Sequence, residues 1–425
     1  MLNNSPQNVL IVGSGGREHA LGWRLTQSQN VGKLYFAPGN AGTAELGENV
    51  DISATDVESL VDFVHKNSID LTVVGPEISL EVGLVDALQK ESRAVFGPSA
   101  AAARLETSKA FAGEFVEKYN IPHPKTTAFS DPEEAISFIK KSNYPLVIKA
   151  SGLASGKGVF LPDSLDGAVE KIGAISEGTV SGKARDYILI QERLIGRETS
   201  IIAISDGKTV VPFVPAQDYK RAYDGNMGPN TGGMGSIAPS EMTPQLMDEI
   251  FKTILQPTID GMAKDGTPYK GVLYAGLMLT AEGPKVIEYN ARFGDPETQP
   301  LMTLLDSDLL TIMEASVNGD LSEKHIKFKK GSAICVVLAE KGYPGSYETG
   351  HEIHGLEMAK SNQNVQVFHA GTVGDGSKVL SAGGRVLGVT GYGKDLEEAI
   401  SSAYGVIGKS GVWFEGMEWR RDIGK

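Results

Sequence analysis

The first hundred residues alternate between short apolar runs and helical periodicity, and few folds accommodate that rhythm. VLIV (Val9–Val12) leads through GSGG to a helical pattern over Glu18–Gln27, and KLYFA (Lys33–Ala37) ends at Pro38-Gly39-Asn40. A helix over Val57–Lys66 leads to LTVV (Leu71–Val74) and Gly75-Pro76-Glu77. Another over Leu80–Lys90 leads to AVF (Ala94–Phe96) and Gly97-Pro98-Ser99. Strands alternating with helices predict a parallel, doubly wound α/β sheet. All four strands end in a Gly or Pro loop, at the sheet edge where ligands sit.

A chain of 425 residues is too long for one core. Ile121-Pro122-His123-Pro124 stiffens a first boundary. Strand candidates follow at Pro145–Ala150, Tyr187–Leu194, Thr199–Ser205 and Thr209–Val214. Gln217–Ser240 is dense in Gly, Pro, Asn and Asp and reads as one long functional loop. Gly271–Leu279 and Lys285–Phe293 read as a hairpin, a helix follows over Gln299–Asn318, and an α+β pattern begins at Gly331. The formal charge of −13 argues against a nucleic-acid partner. One cysteine, Cys335, excludes an internal disulfide and suits a reducing compartment. MLNNSPQN has no leader character, and no apolar run approaches a membrane span. The expectation is a cytoplasmic monomer.

Four segments carry chemistry. Gly13-Ser14-Gly15-Gly16-Arg17-Glu18 fails as a dinucleotide loop, because Glu18 replaces the third glycine and no acid ends the second strand. What remains is a helix N-terminus suited to phosphate with Arg17 beside it, or merely a tight turn. Lys149 leaves an apolar strand into a Gly-rich hairpin, Ser151 to Val159, which departs from Walker spacing but can fold over a polyphosphate. Glu288 and Asn290 are two apart on a strand and share a face, where two oxygens can hold Mg²⁺ and Arg292 a phosphate; a surface Glu288–Arg292 ion pair is the plain alternative. Asp218-Tyr219-Lys220-Arg221 and the glycines from Gly228 to Gly235 read as a lid or substrate loop with an anion nest. No nucleophile and no evident general base is found.

In chain order, GGREHA, the Lys149 hairpin, GPNTGGMG and RFGDPETQ resemble the phosphoribosylamine–glycine ligase family of the ATP-grasp superfamily. APGNAGT (Ala37–Thr43), VGPE (Val74–Glu77), SKAF (Ser108–Phe111) and YAGLM (Tyr274–Met278) extend the resemblance almost to the C-terminus. It implies an N-terminal α/β domain (1–105), an ATP-grasp domain (106–326, with 122–194 as a small lid) and a small C-terminal α+β domain (327–425). It implies that ATP phosphorylates glycine to an acyl phosphate, which the amine of 5-phosphoribosylamine attacks in purine synthesis.

Carried over residue by residue, Lys109 and Lys149 contact nucleotide phosphates, with Lys149 and Arg292 as catalytic cations. The hairpin residues Ser151, Gly152, Ser155, Gly156, Lys157 and Gly158 cover those phosphates. Glu192, Leu194 and Ile195 form the adenine hinge, and Glu198 meets the ribose. Glu288 and Asn290 hold Mg²⁺ or Mn²⁺. Gly15, Gly16, Arg17, Asn40 and Glu77 receive the sugar phosphate. Asp218, Lys220, Asn230, Thr231, Gly232, Gly233, Arg292 and Asp295 complete the substrate site. Two positions depart from the family: Ser151 replaces Asp, and Tyr219 replaces His. Rival readings are another ATP-grasp ligase of purine metabolism, which RFGDPETQ and GPNTGGMG oppose, and an ATP-binding module without turnover. The latter would lack Lys149, Glu288 or Asn290, and all three are present.

Overall fold

The computed structural model describes residues 6–142, 145–151, 158–178 and 187–425. Strands β1 (Gln7–Gly13), β2 (Val31–Pro38), β3 (Glu48–Asn49), β4 (Leu71–Val74) and β5 (Val95–Phe96) make an all-parallel sheet in the order β3-β2-β1-β4-β5. The strand order reverses at β1, so the crevice between the ends of β1 and β4 is the switch point of the sheet. The helix expected over Leu80–Lys90 is two, Glu77–Glu81 and Leu84–Lys90, because Gly83 between them takes a φ of +82°.

A second unit pairs β6 (Thr126–Phe129), β7 (Leu146–Ala150), β8 (Val159–Phe160) and β9 (Ile188–Glu192) as an antiparallel sheet, β6-β9-β7-β8. The amphipathic helices Pro132–Lys141 and Leu165–Ser176 pack on it. Ile139, Ile148, Ile172 and Ile190 belong to a core of its own, so this unit is packed as a separate small body.

Next come β10 (Arg197–Asp206), β11 (Val210–Pro212), β12 (Gln217–Asp218), β13 (Arg221–Tyr223), β14 (Met227–Asn230), β15 (Gly235–Ala238), β16 (Lys270–Thr280) and β17 (Gly283–Asn290). The central antiparallel sheet is β11-β10-β16-β17. One core joins Leu10 and Val85 to Ile201 and Leu273, and another joins Ile11 and Leu21 to Ile202 and Met313, fixing the N-terminal and central sheets together. The helix expected over Gln299–Asn318 breaks into Thr298–Leu304 and Leu309–Asn318, the second capped by Asp308 Oδ1, which accepts from the Leu310 and Thr311 N–H groups.

The C-terminal strands are β18 (Ser332–Glu340), β19 (Val365–His369), β20 (Thr372–Asp375), β21 (Lys378–Ser381), β22 (Arg385–Gly393) and β23 (Met417–Glu418). Gln217–Ser240 is therefore no simple loop: β13 and β14 pair with each other, while β12 and β15 join the C-terminal sheet in the order β12-β15-β18-β22-β19. Strands this short lack the span over which alternation shows. Among the described residues no helix is long and apolar enough to cross a membrane.

Candidate active site

Many of the residues singled out above, among them Arg17, Glu77, Lys149, Asp218, Lys220, Glu288, Asn290, Arg292 and Asp295, line a cavity of about 1200 Å³ where the three sheets and the small unit meet. Its centre is built by one irregularity of β17. Gly276 pairs with Glu288 but Leu277 pairs with Val286, so Ile287 is an extra residue, a β-bulge. Val286 and Tyr289 both enter the core, three residues apart, and Glu288 and Asn290 lie on the opposite, cavity side. Strict alternation would have put Glu288 on Val286's face. The bulge also gives the Ile287 carbonyl a new partner, the Lys149 Nζ, at 2.8 Å.

Cations converge on Glu288. Lys220 Nζ lies 3.1 Å from its Oε1 and 3.8 Å from Glu198. The field of Lys220, opposed by burial and helped by Lys149 and Lys109, holds the Glu288 carboxyl down at about 2. Lys149 is buried, and desolvation brings its ammonium down to about 8 despite Glu288. Desolvation also lowers Lys109, whereas Glu288 raises Lys220. Arg292 does not pair with Glu288. Its Nε meets Glu77 at 3.2 Å, its Nη2 meets Glu106 at 3.2 Å, and Asn290 Oδ1 accepts from it at 3.3 Å. Among the described residues no three His, Cys, Asp or Glu side chains cluster as metal ligands, so Glu288 and Asn290 stand as a two-oxygen set. Such a set fits a magnesium-like ion that takes its other oxygens from phosphates and water.

The N-terminal loop is filled by the protein itself. Glu18 Oε2 accepts from the Gly15 N–H at 2.7 Å, and its Oε1 accepts from Arg17 Nε at 2.6 Å. The Arg17 N–H donates to Asp295 Oδ2 at 3.3 Å, and Arg17 Nη1 to the Phe293 carbonyl at 3.2 Å. A Cβ at Gly13 or Gly15 would sit 2.6 or 2.8 Å from the Glu18 carboxyl group, and one at Gly75 would collide with it. These glycines make room for a carboxylate at the switch point, so the open phosphate cradle expected around Gly15, Gly16 and Arg17 is occupied by Glu18 and Asp295. Asn40 is equally committed: its amide donates to the Ser14 and His369 carbonyls at 2.8 Å, and its Oδ1 accepts from the Gly42 and Thr43 N–H groups. Gly15 and Asn40 border a second cavity of about 340 Å³ with Thr372 and Arg385.

The expected anion nest is also used internally. The Gly232 N–H donates to the Tyr343 hydroxyl and the Gly233 N–H to Thr231 Oγ1, while the Thr231 hydroxyl donates to the Lys220 carbonyl. Arg385 Nη1 donates to the Gly232 and Asp295 carbonyls at 2.6 Å. Asp218, Lys220, Asn230, Thr231, Gly232, Arg292 and Asp295 border the large cavity together. Gly233 is buried behind them, its Cα packed on Asp218 and Pro296. Glu192, Leu194 and Glu198 line the far end, but Ile195 is 88% exposed and outside the lining. Ser151 Oγ accepts from the Ala110 N–H at 3.4 Å, tying β7 to the helix that starts at Lys109, and the Gly158 carbonyl accepts from Ala150. Gly152, Ser155, Gly156 and Lys157 lie outside the described residues. Tyr219, the second departure, accepts from the Gly424 N–H and carries the Arg420 guanidinium 5.1 Å above its ring.

Sequence reasoning assigned no role to Glu106, Glu297, Tyr343 or Arg385. Glu297 stands inside RFGDPETQ, which marks its segment but not its partner. The others carry no local signal.

Family models for phosphoribosylglycinamide synthetase match the chain in series: the N domain over residues 7–106, the ATP-grasp (A) domain over 107–298 and the C domain over 333–425. A phosphoribosylamine–glycine ligase from Caldanaerobacter subterraneus subsp. tengcongensis is 47% identical over 416 residues, covering 98% of this chain and 99% of that protein. The crystal structure of phosphoribosylamine–glycine ligase from Thermotoga maritima superposes with a TM-score of 0.85 at 37% identity, over 98% of this chain and all of the other. A biotin carboxylase from Campylobacter jejuni, solved with β,γ-ATP, shares the fold at a TM-score of 0.73 and 15% identity, over 98% and 94% of the two chains. Three domain matches in order, with near full-length identity, place this chain in the phosphoribosylamine–glycine ligase family.

Proposed function

We propose that the chain joins glycine to 5-phosphoribosylamine with ATP, through glycyl phosphate, giving glycinamide ribonucleotide, ADP and phosphate in de novo purine synthesis. The observation that carries this reading is the convergence of Lys149 and Lys220 on Glu288, with Arg292 beside it, in one large cavity, and of Lys109 in the adjoining cavity that shares Lys149, Glu288 and Arg292. A carboxylate is a poor acylating agent, and phosphorylation supplies the leaving group. Transfer of a phosphoryl group asks the protein mainly for fixed positive charge and exclusion of water, which this arrangement can supply.

In this reading Lys109 and Lys149 hold nucleotide phosphates. Glu192 to Leu194 face the adenine and Glu198 the ribose. Glu288 and Asn290 would hold Mg²⁺ or Mn²⁺, which when bound neutralises phosphate charge. Arg292 is kept rigid by Glu77 and Glu106 and is aimed by them, as a guanidinium that grips a carboxylate or phosphate must be. The sugar phosphate takes the smaller cavity beside Gly15 and Asn40, where Arg385 supplies the positive charge that Arg17, already bound to Glu18, does not. A reducing cytoplasm suits the buried thiol of Cys335, which desolvation pushes up to about 12.

The test is ADP release with Mg²⁺-ATP, glycine and freshly generated phosphoribosylamine, each omitted in turn. ADP formed only with all three, and glycinamide ribonucleotide seen by mass, supports the reading. Equal ADP without glycine or without the sugar amine removes the named substrates, and no ADP removes the enzyme.

A further inference from the structure

Ligation releases a proton that the residues above do not take up. As the amine attacks the carbonyl carbon of glycyl phosphate, an N–C bond forms, the C–O bond to phosphate breaks, and phosphate leaves with the electron pair. The nitrogen must then shed a proton to become an amide. Most carboxylates of the cavity are engaged: Glu288 with Lys220, Glu77 and Glu106 with Arg292, and Asp295 with the Arg17 N–H and Gln299.

Asp218 is different. Among the described residues its side chain receives no hydrogen bond, and its Oδ1 is buried without a partner. It lines the large cavity together with Glu297, which is 3% exposed and held by the Tyr274 hydroxyl at 2.7 Å, itself bonded to Ser200 Oγ at 2.6 Å. Its location is also suggestive chemically. Lys220, two residues on, reaches Glu288 on the phosphoryl side. Gly233, against which Asp218 packs, touches Pro296 and leads through Arg385 to the sugar side. The attacking amine and the acyl phosphate must meet between those two sides.

We propose that Asp218 is the proton acceptor of the ligation step, with Glu297 as the neighbouring carboxylate of the same cavity; this rests on the ligase reading above. The proton passes from the attacking nitrogen to the Asp218 carboxylate and then to water once phosphate has left. Burial and the like charge of Glu297 raise the Asp218 carboxyl well above its usual range, with Glu198 adding to them and Lys220 and Arg385 opposing. A carboxylate so raised is a better base at neutral pH.

The experiment compares the parent, Asp218→Asn and Glu297→Gln for ADP, glycinamide ribonucleotide and the pH profile of kcat. The proposal requires Asp218→Asn to lose amide formation by about 100-fold or more, with ADP outrunning amide as glycyl phosphate hydrolyses. In Glu297→Gln the acid limb of kcat must move to lower pH, because a like charge beside Asp218 is gone. An Asp218→Asn enzyme with kcat within threefold and only a raised KM for glycine overturns it and makes Asp218 a seat for the glycine ammonium. Parallel loss of ADP and amide, or an acid limb unmoved in Glu297→Gln, overturns it as well. A parent enzyme that makes no ADP with all three substrates sinks the ligase reading instead.

Discussion

Glu18 occupies the third-glycine position of a dinucleotide loop, and its carboxylate uses the space left by Gly13, Gly15 and Gly75. The same geometry that would receive a pyrophosphate receives an internal anion, which caps the helix and neutralises the buried Arg17. Glu18→Ala leaves that guanidinium buried without its carboxylate, and unfolding by denaturant should show a loss of about 3–5 kcal/mol; a change under about 1 kcal/mol would make the pair dispensable. Glu288 makes the opposite case, a residue held for chemistry at some electrostatic gain. Its folded value of about 2 lies below the ordinary 4.5. Its contribution is therefore full above the ordinary value and is lost as pH falls from about 4.5 through 2. Glu288→Gln should abolish turnover and cost about 2 kcal/mol of stability at pH 7, with the gap to the parent narrowing as pH drops below 4.5. An equal gap at pH 7 and pH 3 would contradict the assignment.

At the level of elements, the bulge at Ile287 decides which face of β17 carries the chemistry. Deleting Ile287 keeps Val286 and Tyr289 on the core face with Glu288 and Asn290 opposite, but it removes the bulge and the carbonyl that accepts from Lys149 Nζ. The deletion should misplace Lys149 and lower kcat by about 100-fold, whereas Ile287→Ala keeps the backbone and the Lys149 bond. If the deletion turns over like the alanine variant, the bulge carbonyl is not what places Lys149. Nothing in KVIEYNARF announces this bulge, although the pair Glu288 and Asn290 was legible because two residues apart on a strand share a face either way. Regular elements with strong local pattern were equally legible: the Val57–Lys66 helix and the Leu71–Val74 strand stand at their expected bounds. Gln217–Ser240 was not, since β15 pairs with β18, about a hundred residues away, and β12 pairs in turn with β15. The partners of Arg292 were hidden for the same reason. Glu77 and Glu106 meet it from 215 and 186 positions earlier, through a fold that sequence periodicity cannot fold up.

For the whole molecule, the N- and C-terminal domains are joined by a buried imidazole pair. His19, on the helix Gly16–Leu25, accepts through Nδ1 from the His369 N–H of β19 at 2.8 Å, and Asn40 donates to the His369 carbonyl beside it. Phe368 stands edge-on to His19, and the ion pair of Lys360 with Glu45 borders the contact. That Nδ1 can accept only while His19 is uncharged at that atom. Desolvation, with His369 and Lys360 adding, lowers His19 well below 6.5; desolvation brings His369 down to about 4 against the pull of Glu45. The unfolded chain therefore binds protons below pH 6.5 that the folded one refuses, and stability falls as pH drops from about 6.5 through 4. The slope approaches about 1.4 kcal/mol per pH unit for each imidazole. Urea unfolding between pH 6.5 and 5 lies above the ordinary carboxylate range, and comparison with a histidine variant separates this effect from the raised Asp218 carboxyl. The parent should lose stability over that window, and His369→Gln, which removes one of the two refusing groups, should lose about half as much. Equal slopes in the two proteins would mean that the imidazoles do not couple the domains to protons, and the acid sensitivity of this enzyme would have to come from its carboxylates.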